Sequence, residues 1–98
     1  QDMLAANNWN VVQYAVLVYM MAQVSGLVPG ELVHVIADAH IYDRHVDVIK
    51  ELIGRETYPA PKVRLNPEVK DFYQFTTSDL LVEDYQAGPQ VKNIPIAV

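Results

Sequence analysis

A chain of 98 residues with 51% hydrophobic content has room for one domain at most, and it buries a smaller share of its surface than a typical enzyme subunit. The net charge of -5, from 7 basic and 12 acidic residues with no Lys/Arg cluster, excludes a nucleic-acid footprint and a polybasic membrane anchor. With no cysteine there can be no disulfide, thiolate metal site or cysteine nucleophile within these residues.

The chain opens Gln1-Asp2-Met3, without a basic region followed by an apolar core and a cleavage site, so a cytoplasmic protein is expected. It begins almost directly with a core-type segment, which reads as the end of a longer protein. Asn7, Asn8 and Asn10 are favoured helix caps, because the carboxamide oxygen accepts from free N–H groups of a first turn. A helix from about Asn10 to Val24 is predicted, stopped by Ser25-Gly26. Its uncharged run from Tyr14 to Ala22 is too short to span a bilayer, which takes about 20 apolar residues. That run predicts a helix covered on nearly all sides, partly by residues outside this sequence or by a second subunit. Trp9 is assigned to packing.

After the Pro29-Gly30 turn, Glu31 to Ala37 is rich in β-branched residues and apolar on both faces, as a strand inside a covered sheet would be. Its continuation places Asp38, His40 and Tyr42 two apart, so a carboxylate, an imidazole and a phenol share one face. Such a cluster suits a hydroxylated ligand. Asp43 is a candidate cap for a second helix from Arg44 to Gly54, where Val46, Ile49 and Ile53 recur at helical spacing and Glu51 can pair with Arg55. Pro59 and Pro61 make Thr57 to Pro61 an extended connector, and Lys62 to Leu65 alternates like a half-buried strand. One helical turn at Val69 to Phe72, a last strand from Asp79 to Tyr85, a Gly88-Pro89 turn and an extended apolar tail from Val91 to Val98 complete the pattern. A metal site from Asp38, His40 and His45 has acceptable ligand types but no fixed geometry across a strand-to-helix junction, so no metal is expected.

The ordered set Asp2, Asn10, Gly30-Glu31, Asp38-x-His40-x-Tyr42-x-x-His45, Arg55-Glu56, Leu65 to Tyr73 and Ile96-Ala97-Val98 resembles the C-terminal part of thymidylate synthase, nearly end to end. The resemblance implies an α+β fold of that family: a long buried helix, a strand, a second helix, short strands and an extended tail. It implies reductive methylation of dUMP to dTMP, with 5,10-methylenetetrahydrofolate as co-substrate and a homodimer or a complementing N-terminal part as partner. Carried over by position, Asn10 would meet the polar edge of uracil, where a carboxamide offers a donor and an acceptor side by side. His40 and Tyr42 would bind the 3′-hydroxyl of the deoxyribose, and Asp2 the pterin ring of the folate. Ile94 to Val98 would close over the ligands, with the Val98 carboxylate finding a hydrogen-bond partner at the folate. His34 and His45 are left as structural. Arg44 stands where the family often has Asn, and in some members Arg. The family's cysteine nucleophile, the glutamate that organises proton-transfer water and most phosphate-binding arginines lie upstream of Asp2, so turnover by these residues alone is not expected. The alternative is a catalytically inactive truncated paralogue that binds nucleotide or another subunit.

Overall fold

The computed structural model describes residues 1–96, and Ala97 and Val98, on which the folate expectation for Val98 falls, lie outside the described residues. Helix α1 spans Asn7–Ser25, three residues earlier than the sequence pattern suggests, so Asn10 sits inside the first turns and is not the cap. Ala6 holds the cap position without a side-chain hydrogen bond, and the carboxyl group of Asp2 instead collects the Leu4 and Ala5 N–H groups of the preceding turn. Gly26, at φ 66°, ends α1 in a Schellman motif: Leu27 N–H donates to the Ala22 carbonyl and Gly26 N–H to that of Gln23. A Cβ-free residue is what that left-handed turn needs.

Only Ala22 of α1 is buried, while Trp9 and Val12 are 78% and 60% exposed. The expectation of a packed Trp9 is thereby corrected within this chain, and the burial expected for the helix is not supplied by its own neighbours. A helix that is apolar all round can be covered only by several elements at once. Here it has a short hairpin on one side and, through Gln23, a turn: Gln23 Nε2 donates to the Asn66 and Val69 carbonyls at 2.8 Å each.

Glu31 to Ala37 runs without regular structure and without a backbone hydrogen bond among the described residues, which corrects the expected strand. A strand needs a ladder partner, and no described segment pairs with it. Val33 and Val35 are 78% and 83% exposed. Pairing begins just beyond, where His40 forms an isolated parallel bridge with Asp2. A 3₁₀ turn at Asp43–His45 leads into α2, Val46–Ile53, shorter than the predicted Arg44 to Gly54 because the first turn is wound more tightly. The expected Glu51–Arg55 pair is present at 2.7 Å, and Arg55 also donates to the Pro89 carbonyl.

Strands β1, Lys62–Leu65, and β2, Leu80–Glu83, form an antiparallel pair in the register Lys62 with Glu83 to Leu65 with Leu80. Cross-strand charges, Arg64 with Glu83 and Lys62 with Asp84, decorate its exposed face. The predicted turn falls later than expected, at Phe72–Gln74, with a second one at Thr77–Asp79. Asp79 is buried and closes the base of the hairpin. It accepts from Asn66 Nδ2 and from both the N–H and the hydroxyl of Thr76, each at 2.8 Å.

These bonds, the Asn66 amide first and then the Thr76 N–H and hydroxyl, hold the Asp79 carboxyl below the usual carboxylate range against a smaller upward push from desolvation. The folded state therefore keeps this charge at a pH where the unfolded chain has already taken up its proton. The stabilisation is complete above the unfolded value of about 3.9 and is lost as pH falls through the lower folded value. Asp79→Asn is expected to lower the thermal midpoint by roughly 5 °C or more at pH 7 and to flatten the acid limb of a midpoint-against-pH curve. An acid limb of unchanged slope would refute this account.

The radius of gyration, 16.4 Å, exceeds the roughly 13 Å of a compact chain of this length. The chain exposes 7969 Å², whereas a compact monomer of 11.1 kDa exposes about 5,700 Å². Buried hydrophobic residues number three among the described residues, Leu4, Ala22 and Val69. The chain is thus an α+β layer with its apolar faces largely open.

Candidate functional site

Gln1 to Met3 lie beside Asp38 to His40, held by three main-chain bonds. The main-chain nitrogen of Gln1 donates to the Asp38 carbonyl at 2.7 Å, His40 N–H to the Gln1 carbonyl at 3.1 Å, and Met3 N–H to the His40 carbonyl at 3.0 Å. This short parallel pairing places Asp2 next to His40, two residues that are 38 positions apart. The expected period-two cluster is present: Asp38 Oδ1 approaches His40 Nδ1 at 3.5 Å, and the His40 and Tyr42 rings meet edge to face with centroids 5.1 Å apart. The Tyr42 ring then meets that of His45 at 5.5 Å in the same manner.

Asn10 joins the group through Gln1, whose Nε2 donates to the Asn10 carboxamide oxygen at 2.9 Å. A carbonyl oxygen has two lone pairs, so this bond leaves Asn10 one acceptor position and both amide donors. Gln1 is a site component that the sequence reading overlooked. Its first-residue position offered no periodic signal.

Asp2, Ala5, Tyr42, His45 and Ile94 to Ile96 line one open cleft of about 390 Å³. Both N–H bonds of the turn fall on Asp2 Oδ1, so among the described residues Oδ2 accepts no hydrogen bond. Desolvation pushes the Asp2 carboxyl up, but the Leu4 and Ala5 N–H groups, with His45 and His40 nearby, outweigh it and hold it below its ordinary value. An ionised carboxylate with a free oxygen is suited to accept N–H groups from a ligand. The tail reaches the cleft as the sequence suggests, and two residues without an assigned site role hold it there: Arg44 donates to the Ile96 carbonyl at 2.9 Å and His45 to that of Pro95 at 2.8 Å. Among the described residues no group of three or more His, Asp or Glu side chains is arranged to hold a metal ion. No described helix is long and apolar enough to cross a membrane.

The described residues thus bring a carboxylate, an imidazole and a phenol together beside a cleft along which the tail is held. Comparison with known proteins makes this specific. The thymidylate synthase family model matches residues 1–98. The chain is 47% identical over 90 residues to the thymidylate synthase of Bacillus mojavensis, which covers 92% of this chain and 32% of that protein. Against the thymidylate synthase of Clostridium beijerinckii it is 48% identical over 86 residues, covering 86% of this chain and 33% of the other. Its fold superposes on the solved thermostable thymidylate synthase A of Bacillus subtilis with a TM-score of 0.93 at 43% identity, covering 97% of this chain and 34% of that one. The chain belongs to the thymidylate synthase family, and it spans about a third of the length of these relatives.

Proposed function

We propose that this chain supplies the nucleotide- and folate-contacting C-terminal part of a thymidylate synthase, in which the complete enzyme methylates dUMP to dTMP. The observation that carries this reading is the convergence of Asp2, Tyr42 and the tail on one cleft, with His40 against Tyr42 and Asn10 tied by Gln1 to the segment beside His40. Family membership supplies the reaction class. 5,10-Methylenetetrahydrofolate would supply the one-carbon unit and the hydride.

In this reading Asn10 presents its amide donor to O4 of uracil and its remaining lone pair to N3–H. His40 and Tyr42 take the 3′-hydroxyl between them, since imidazole and phenol can each donate or accept. Asp2 Oδ2 accepts N–H groups of the pterin, and Val98, outside the described residues, is carried over as a folate contact from the family resemblance alone. The nucleophile that attacks C6 of the pyrimidine belongs to another part of the polypeptide, because no cysteine is present here. The excess of exposed surface, about 2,300 Å² above that of a compact monomer, is the size of an obligate interface. We assign it to contact with the upstream part of a subunit and with a second copy in a homodimer, in the cytoplasm.

Without a thiol of its own the chain would bind without turnover when isolated, which is also how an inactive paralogue would behave. Titration calorimetry with dUMP is expected to show saturable binding, weakened about tenfold by Tyr42→Phe, which removes the hydroxyl and keeps the ring contacts. A nucleotide lacking the 3′-hydroxyl should bind both forms alike. Equal loss of affinity for that nucleotide on Tyr42→Phe would overturn the assignment of Tyr42, and restored methylation on adding an upstream piece would favour the enzyme over the paralogue.

A further inference from the structure

His45 is the most buried polar side chain of the described residues, 3% exposed. Its Nε2 lies 2.8 Å from the Pro95 carbonyl. A carbonyl oxygen can only accept, so Nε2 carries a proton and donates it to Pro95. Among the described residues Nδ1 is buried without a hydrogen-bond partner. Among the described residues its one side-chain hydrogen bond is to the tail.

The neighbouring residue repeats the contact one position further on, since Arg44 Nη1 donates to the Ile96 carbonyl at 2.9 Å. Two consecutive residues of a 3₁₀ turn thus grip two consecutive carbonyls of a segment that belongs to no helix or strand. Pro95 has no N–H to offer a ladder, so acceptance at its carbonyl is its main-chain means of attachment. Both acceptors are backbone, so the grip reads the path of the tail and not its side chains. The His45 ring also stands edge to face against Tyr42, which stands in the same way against His40.

We propose that Arg44 and His45 form a two-point backbone clamp that seats Ile94 to Ile96 along the cleft, and that His45, as a positioning residue, sets the Tyr42 ring by the same contact. The clamp stands on the geometry alone, whereas its consequence for nucleotide binding rests on the function proposed above.

The test uses the protein in its full length, with the variants Arg44→Met, His45→Leu and His45→Gln. Carboxypeptidase removal of the terminal residues reports how often the tail leaves its seat. Arg44→Met alters an exposed side chain and leaves folding intact, so it is informative even where His45→Leu fails to fold. Arg44→Met and His45→Leu are expected to accelerate trimming about fivefold or more, the effect of one lost hydrogen bond. Glutamine can place an amide N–H where imidazole Nε2 stands, so His45→Gln should trim within about twofold of the parent. NMR should report a hydrogen-bonded proton on His45 Nε2 in the parent and a shift of the Tyr42 ring protons in His45→Leu but not in Arg44→Met. Unchanged trimming in Arg44→Met, or His45→Gln as labile as His45→Leu, would overturn the clamp. Neither readout requires turnover, so failure of the clamp is distinguishable from failure of the methyl-transfer reading.

Discussion

Val12→Asp is expected to leave the 98-residue chain folded as before and to weaken its association with the upstream part of a thymidylate synthase subunit by about two to three orders of magnitude. Val12 is 60% exposed here, so an aspartate at this position meets water in the isolated chain. It also lines a wholly apolar groove of about 270 Å³ between α1 and the hairpin, with Val16, Tyr19, Val63, Val82 and Tyr85. If that groove is covered in the complete enzyme, the new carboxylate is buried without a partner. An uncompensated buried charge costs about 3–5 kcal/mol, far more than one buried valine contributes. The measurement is complementation: the upstream two-thirds of a relative such as the Bacillus mojavensis enzyme, mixed with parent or variant chain, followed by sedimentation and methylation of dUMP. Val12→Leu keeps the groove apolar and should cost less than about tenfold. Complementation by Val12→Asp as strong as by the parent would show that the groove faces water in the assembled protein.

Asn10→Ala should lower the preference for dUMP over dCMP by roughly 10- to 100-fold in the complemented enzyme, with kcat/KM as the readout. In the proposed site the discrimination would arise because a fixed donor and acceptor leave buried groups unpaired against cytosine, at about 1–3 kcal/mol each. Alanine removes both groups, so neither base is penalised. The same substitution removes the acceptor for Gln1 Nε2, and a loss of order at the amino terminus could mimic the result. Gln1→Ala separates the two, since it deletes the tether and keeps the carboxamide. That variant should keep its base preference while binding both nucleotides more weakly. A preserved dUMP preference in Asn10→Ala would remove Asn10 from base reading altogether.

How much of this was legible in the residues differs from element to element. The spacing of Asp38, His40 and Tyr42 announced their cluster, and the structure brings His40 against both neighbours although the segment forms one isolated bridge and no strand. The β1 segment, the Gly26 stop and the Glu51–Arg55 pair were legible for the same reason, as each depends on residues within a few positions. Glu31 to Ala37 read as a strand and is unpaired, because β-branched composition says that a segment suits a ladder and cannot say where the partner is. His45 looked structural, since its contact is with Pro95, 50 positions away.

By itself, the sequence determined the family, the α+β composition, the absence of a thiol and the identity of the polar residues that share a face. The tertiary structure alone decided that Asp2 lies beside His40, that Gln1 ties Asn10 to them, and that Arg44 and His45 hold the tail. It also decided that the apolar faces of α1 and of Glu31 to Ala37 stay open in this chain. The physical reason is range. Propensity, periodicity and capping act over a few residues, whereas contacts between segments tens of positions apart form only when the chain has closed those loops.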